Sequence, residues 1–239
     1  MKTAKRFAML AGLALALMAV ISFAGCNGKD EIAKAAPESD FEFKLSEDGT
    51  FIELTEYKGN AKNLVIPETI QGLPVEVING FSENKKIKSV VIPSSAKVIK
   101  APGFCDCVSL EKVTLPEGLL YIDTSAFGHT GLTSVTLPKS LEYLGSAFLD
   151  CNNLAEINIP DDAAFLLKNA TEVAVFLSEE KGWNDESIAI SGDMIFSGSK
   201  INESVALQKK LREIKCITPN AMSYYPKAEE KYKKYSWWF

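Results

Sequence analysis

One short motif recurs along the middle of this 239-residue chain and most constrains its fold. Residues 110–116 are Leu-Glu-Lys-Val-Thr-Leu-Pro, and the pattern returns at 132–138 and 154–160. Looser copies end at Pro67 and Pro93, so the closing prolines are separated by 26, 23, 22 and 22 residues. A nearly fixed period of this size is typical of a solenoid, in which each copy forms one coil and stacks on the next.

The alternation within each copy predicts a short strand with one buried face. Aliphatic residues stand one and three positions before each proline, and residues two apart on a strand point the same way. The proline ends the strand, because it has no N–H to donate to a neighbouring strand. The residues between and beside the aliphatic positions should face outward as two ladders, which we predict to bind a partner. These candidate partner-binding residues are Ser89, Val91, Lys112, Thr114, Ser134, Thr136, Glu156 and Asn158.

The return half of each coil carries further columns of recurring residues. Ile99, Ile122 and Leu144 form one apolar column. A second, aromatic column consists of Phe81, Phe104, Phe127 and Phe148. Three residues after each phenylalanine stand Asn84, Cys107, Thr130 and Cys151, which can pack in a tight turn. Cys107 and Cys151 would lie two coils apart, or roughly 10 Å, which is too far for a disulfide.

These motifs together resemble a known bacterial repeat. L-x-x-V-x-L-P, then I-x-x-x-A-F, then Cys, Asn or Thr is similar to the BspA-like, treponemal-type leucine-rich repeat of bacterial surface proteins. The resemblance covers roughly residues 41–160 and includes the lead-in Gln71-Gly-Leu-Pro-Val. It implies a leucine-rich-repeat solenoid with one short parallel strand per coil. It also implies repeats that bind proteins, in some members host matrix proteins, and that are not catalytic.

The first 26 residues resemble a bacterial lipoprotein signal. Lys2, Lys5 and Arg6 precede an almost wholly apolar run over 7–21, and Ser22-Phe-Ala-Gly-Cys then resembles a lipobox. We expect cleavage before Cys26, whose thiol would carry diacylglycerol. The alternative is an uncleaved anchor, but the run is shorter than the roughly 20 residues needed to span a bilayer. The mature chain would be acidic, which disfavours nucleic-acid binding.

Composition divides the chain into four parts. Residues 1–25 are the expected signal peptide, and 26–39 a flexible polar tether. Residues 40–199 should form the repeat domain. Within it we expect a hairpin cap at about 40–58 with its turn at Asp48-Gly49, regular repeats at about 60–160, and degenerate coils at about 161–199. Residues 200–239 should contain a helix and an aromatic tail that cap the open end of the solenoid.

The aromatic tail has three open interpretations. The last sixteen residues contain seven aromatic residues and four lysines. They could cap the degenerate coils, form a partner or self-association surface, or contact a membrane. The candidate interface residues are Tyr232, Tyr235, Trp237, Trp238 and Phe239.

Few residues could build a catalytic site. His129 is the single histidine, and the register places it between Asp106 and Asp150 in a row with steps of about 5 Å. This row is a weak candidate for a divalent metal site, and a solvated turn face is the preferred explanation. The sequence has no G-x-S-x-G, H-E-x-x-H, phosphate-binding loop or C-x-x-C motif. We therefore predict no catalytic residues, no metal and no cofactor.

The sequence thus predicts a lipid-anchored, non-enzymatic protein-interaction module. It would be held on the periplasmic side or at the cell surface of a bacterial membrane, where it could serve as an adhesin for host proteins. One alternative is a periplasmic scaffold or assembly lipoprotein. Another is a carrier that holds a small apolar ligand near the aromatic C-terminal end.

Overall fold

The computed structural model of the protein describes residues 34–160, 166–167 and 199. All secondary-structure elements in this part belong to the compact unit Ala35–Phe239. They are a short 3-10 helix, Glu38–Asp40, and thirteen strands. Within the same residues, no helix has the length and apolar character that a membrane crossing requires.

The proline-terminated motifs form the first sheet, with one three-residue strand per coil. Its strands are β3 (Asn63–Val65), β6 (Ser89–Val91), β8 (Lys112–Thr114), β10 (Ser134–Thr136) and β12 (Glu156–Asn158). β3, β6 and β8 pair in parallel, as do β10 and β12, with equivalent residues of successive copies opposite one another. The predicted solenoid of parallel strands is confirmed.

The first sheet is interrupted between β8 and β10, which do not share a ladder. The stretch from Phe127 to Leu132 before β10 has six residues, whereas the equivalent stretches of the other coils, such as Phe104 to Leu110, have seven. Gly131 makes the shorter turn possible, because a Cβ there would lie 2.6 Å from the Val108 carbonyl oxygen. At this edge the two coils are joined by a long hydrogen bond of 3.4 Å from Thr133 N–H to the Glu111 carbonyl, and β9 (Tyr121–Ile122) and β11 (Tyr143–Leu144) pair on the other side.

The return halves of the coils form the second sheet. In spatial order its strands are β1 (Phe41–Leu45), β2 (Ile52–Tyr57), β5 (Leu73–Ile78), β7 (Val98–Ile99), β9 (Tyr121–Ile122), β11 (Tyr143–Leu144) and β13 (Leu166–Leu167). β1 and β2 are antiparallel and the rest pair in parallel. The short β4 (Thr69–Ile70) pairs antiparallel with β5. β13 continues this sheet one coil beyond Pro160.

The hairpin β1–β2 begins the second sheet, as the Asp48-Gly49 signal predicts. Gly49 has φ +68°, and the Asp48 carboxylate accepts a hydrogen bond of 3.1 Å from Thr50 N–H. A buried ion pair of 2.7 Å joins Glu53 in β2 to Lys100, which directly follows β7. This pair spans the intervening strand β5, so it ties the hairpin to the repeats.

Both sheets contribute to one core around the stacked phenylalanines. Ring centroids are 4.7 Å apart for Phe81 and Phe104, 5.3 Å for Phe104 and Phe127, and 5.5 Å for Phe127 and Phe148. Tyr57 extends the stack into the hairpin, 5.6 Å from Phe81. The predicted inward columns are buried, except that Leu115 and Ile157 are half-buried.

Candidate functional site

The outer face of the first sheet is the candidate binding surface. Of the predicted contact residues on it, Lys112, Ser134, Thr136, Glu156 and Asn158 are exposed. Ser89 and Thr114 are half-buried. Paired strands place Ser134 opposite Glu156 and Thr136 opposite Asn158, so the exposed side chains form two regular ladders.

The prediction that Val91 is an exposed contact residue is wrong, because its side chain is only 8% exposed. In register, Val91 lies between Val65 on one side and Thr114 on the other. Side chains directly opposite one another on a sheet face are about 5 Å apart. Two β-branched neighbours at that distance shield Val91 from solvent, so the usable surface begins at β8.

Backbone hydrogen bonds between coils fix the surface. Glu111 N–H donates to the Lys88 carbonyl at 2.8 Å, and Ala155 N–H donates to the Thr133 carbonyl at 3.0 Å. Near the N-terminal end, Ser89 Oγ donates to Asn63 Oδ1 at 2.9 Å. Lys112 and Glu156 are the charged members of the ladders, and the others are small and neutral. Such a surface offers adaptable hydrogen bonds on a rigid support.

The predicted row of acidic residues and histidine lies in the turns after the phenylalanines. Four residues with left-handed backbone occupy it, with φ between +54° and +62°: Glu83, Asp106, His129 and Asp150. Their N–H groups bond to the next coil where described, as from His129 to the Leu149 carbonyl at 2.9 Å. Short polar residues tolerate this conformation best among those that carry a Cβ. The row is therefore explained by turn geometry.

This row does not assemble a metal site. His129 Nε2 lies 3.8 Å from Asp150 Oδ2, and both side chains are exposed. Within the described part of the chain, no group of three or more His, Cys, Asp or Glu residues is arranged to hold a metal ion.

The cysteines of the turn column are packing residues with neutral thiols. Cys107 Sγ donates to the Phe81 carbonyl and Cys151 Sγ to the Phe127 carbonyl, each at 3.0 Å. Both acceptors belong to the preceding coil. Burial raises the pKa of Cys107 to about 12 and that of the less buried Cys105 to about 11. Because the thiolate is the reactive form, these cysteines are poor nucleophiles and poor metal ligands at neutral pH.

The sequence analysis missed a second buried row, on the outer face of the second sheet. Val98, Tyr121 and Tyr143 are fully buried there, each directly before a residue of the predicted Ile99, Ile122 and Leu144 column. The signal was present, since an aromatic residue precedes the aliphatic one in two successive copies. Two-residue strands are too short for alternation to show which side a residue faces.

The remaining predicted site residues lie outside the described part of the chain. They are the lipidation candidate Cys26 and the aromatic candidates Tyr232, Tyr235, Trp237, Trp238 and Phe239. The proposed C-terminal helix, the ligand-carrying end and most of the degenerate coils lie there as well.

Comparison with known proteins finds bacterial repeat proteins. A family model for the BspA type leucine rich repeat region matches residues 78–173 in six copies. A leucine-rich repeat protein of T. pallidum, TpLRR, is 30% identical over 54% of this chain and 72% of its own, with a TM-score of 0.46. A leucine-rich repeat protein from Bacteroides capillosus is 26% identical over 51% of this chain and 94% of its own, with a TM-score of 0.44. No curated protein matches.

Proposed function

This chain belongs to the BspA-type leucine-rich repeat family, and we propose that it is a lipid-anchored module that binds host proteins at a bacterial surface. Leucine-rich repeat proteins are generally protein-interaction modules and are typically not enzymes. The lipid would be attached to Cys26, and the polar stretch over 26–39 would act as a tether between the membrane and the repeat domain. Its binding surface is the outer face of the first sheet.

The observation that carries this proposal is the exposed ladder over β8, β10 and β12. Ser134, Thr136 and Asn158 present small neutral side chains that can donate or accept hydrogen bonds without a large entropic cost. The backbone beneath them is held by bonds between coils, so little order remains to be gained on binding. The sheet therefore meets a main requirement for recognising a protein surface, which is a preorganised polar face.

A pair of bulky substitutions tests the surface. Thr114→Arg with Thr136→Arg should lower binding to immobilised extracellular-matrix proteins at least tenfold, because two arginines on neighbouring strands displace a closely packed partner. The matched control, Thr55→Arg with Thr69→Arg, places the same side chains at two exposed threonines outside the first sheet. It should bind like the wild type.

Surface plasmon resonance measures the binding, and circular dichroism verifies that both double variants melt like the wild type. Equal binding by the ladder variant and the control would contradict the assignment of the first sheet. Failure of the wild-type chain to bind any matrix protein would contradict the adhesin role.

A further inference from the structure

Four exposed lysines lie together at the N-terminal end of the first sheet. Lys62 and Lys88 directly precede β3 and β6, and Lys85 and Lys86 lie in the turn before Lys88. Lys88 N–H donates a hydrogen bond of 2.7 Å to the Lys62 carbonyl, so adjacent coils bring these two lysines side by side. We call Lys62, Lys85, Lys86 and Lys88 the basic patch.

The backbone of the basic patch is fixed by the fold. Ile87 is fully buried between exposed Lys86 and Lys88, so these two lysines both point away from the core. Two residues of extended chain span about 7 Å, and neighbouring coils are about 5 Å apart. Asn84 Oδ1 accepts hydrogen bonds from the N–H groups of Lys86 and Ile87 at 2.9 and 3.1 Å. The lysines are therefore attached at set intervals to a rigid support.

The repeat itself does not require lysine at these positions. Counted from the phenylalanine of each coil, the later coils replace Lys85 and Lys86 with neutral residues, which are Val108 and Ser109, then Gly131, and then Asn152 and Asn153. Lys88 is replaced by Glu111, Thr133 and Ala155. The later coils form the same turns and strands without these lysines, so a role in the fold does not explain them.

Most of the positive charge of the basic patch is not neutralised within the described residues. Lys88 Nζ lies 3.8 Å from Glu111 Oε1, and the two side chains are still 56% and 61% exposed. In the part of the chain that the structure describes, no ion pair involves Lys62, Lys85 or Lys86. The whole chain has a net charge of −5. An anionic ligand would therefore be attracted to this patch and repelled by most of the remaining surface.

We propose that the basic patch binds a linear sulfated polysaccharide. Lysine is a point charge on a flexible stem, which suits sulfate groups spread along a chain. Carboxylates are recognised best by the planar guanidinium of arginine, which forms two parallel hydrogen bonds with them. Residues 34–160 contain no arginine, so the patch fits a sulfated chain better than an acidic peptide.

The surroundings of the basic patch disfavour a nucleic acid or a membrane as its ligand. Sites for single-stranded nucleic acid combine a basic groove with exposed aromatic rings on which bases stack. Segments that lie on a membrane combine basic residues with an apolar face that enters the lipid. Among the described residues, the exposed large hydrophobic side chains are Leu45 and Val108. Neither is aromatic, and a single valine in the neighbouring turn does not form an apolar face.

This inference goes beyond the proposed binding of host proteins and does not depend on it. The basic patch borders β3 and β6, whereas the exposed ladder lies over β8, β10 and β12. Thr114→Arg with Thr136→Arg, which tests the ladder, leaves all four patch lysines in place. The two proposals can therefore fail separately.

Binding of the full chain to immobilised heparin, measured by surface plasmon resonance, tests the basic patch. Lys85→Gln with Lys86→Gln should weaken binding about tenfold, because each lysine contributes separately to attraction by an anionic surface. The charge-matched control, Lys44→Gln with Lys139→Gln, removes two exposed lysines in the hairpin and in a later coil. It should bind like the wild type. Circular dichroism verifies that both double variants melt like the wild type.

Two further measurements identify the chemistry of the ligand. Raising the salt concentration should weaken binding of the wild type, because salt screens exposed charges. Desulfated heparin, which keeps its carboxylates, should compete much more weakly than heparin itself. Equal competition by the two would overturn the assignment to sulfate groups.

Failure of the wild-type chain to bind heparin would overturn the proposal. Unchanged binding by the Lys85 and Lys86 double variant would overturn it too, since the polyanion would then be held elsewhere on the chain. Equal weakening in the control would show that only net charge matters, which also contradicts a localised site. Tighter binding to phosphatidylglycerol vesicles than to heparin, lost in the same double variant, would assign the patch to a membrane surface instead.

Discussion

Three residues after its phenylalanine, each coil places a small side chain that forms hydrogen bonds to the backbone. A carbonyl oxygen in the turn needs a donor, and the chain supplies a thiol at Cys107 and Cys151 and a hydroxyl at Thr130. Asn84 acts differently, because its Oδ1 accepts hydrogen bonds from the N–H groups of Lys86 and Ile87. These side chains are interchangeable because each is small and forms hydrogen bonds to the backbone of its own or the preceding coil.

The raised pKa of Cys107 predicts a loss of stability in alkali. In the unfolded chain a cysteine has a pKa near 8.5, whereas burial raises the pKa of Cys107 to about 12 in the fold. Between these values the unfolded chain releases a proton that the folded chain retains, so rising pH favours unfolding by about 1.4 kcal/mol per pH unit for this thiol.

Urea unfolding at pH 8 and pH 10.5 measures the effect. The difference in unfolding free energy between the two values should be smaller for Cys107→Ser than for the wild type, because serine does not titrate there. An identical pH dependence in both proteins would contradict the assignment of a neutral buried thiol.

At the scale of elements, the hairpin depends on its ion pair with the second sheet. Glu53 and Lys100 are both buried, and Lys44 adds a second cation 3.4 Å from Glu53. Burial lowers the pKa of Lys100, and the hydrogen bond with Glu53 offsets part of that shift. A buried charge that keeps its partner is tolerated, whereas one that loses its partner is costly.

We therefore expect Lys100→Met to destabilise the protein by about 3 kcal/mol, because it leaves the Glu53 carboxylate buried beside a mostly exposed lysine. The double variant Glu53→Met with Lys100→Met should lie within about 1 kcal/mol of the wild type, since two apolar side chains replace the pair. Chemical denaturation gives both values. A double variant that is less stable than Lys100→Met would contradict this explanation.

How far the elements follow from the sequence depends on their length. The repeat motif predicts the first sheet and the aromatic stack, because both place recurring side chains at a fixed period. The Asp48-Gly49 turn signal predicts the hairpin. Val91 was misplaced because exposure on a sheet depends on the bulk of neighbours in other coils, which alternation does not reveal. The tyrosine row was missed for a different reason, since a two-residue strand has too few residues for a pattern. The ion pair joins residues 47 positions apart, beyond the reach of any local signal.

At the scale of the whole molecule, the proposed lipid site and the proposed binding face belong to different parts of the chain. The proposed lipid site precedes the hairpin end of the second sheet by 15 residues, from Cys26 to Phe41. The exposed ladder lies on the other sheet and toward the later coils. A module built in this way can be held at one end while its binding face remains accessible.

Cell fractionation tests the attachment. The wild-type chain should be found in the membrane fraction and incorporate labelled fatty acid, whereas Cys26→Ser should do neither. Cys105→Ser, which changes a cysteine inside the repeats, serves as the control and should behave like the wild type. Incorporation of fatty acid by Cys26→Ser would contradict the lipidation site.

Protease treatment of intact cells then separates the two locations. Digestion of the wild-type chain is the result expected for a surface adhesin. Complete protection would contradict that role and favour a scaffold on the periplasmic side.

The shortened coil at Gly131 has a consequence for the position at which a partner would bind along the first sheet. A ladder of equivalent steps gives a rod-shaped ligand no reason to prefer one step over the next, so it could dock in several shifted positions of similar affinity. The interruption between β8 and β10 breaks that translational symmetry once. For a partner bound to the proposed face, this interruption would leave one position in which the partner can be aligned.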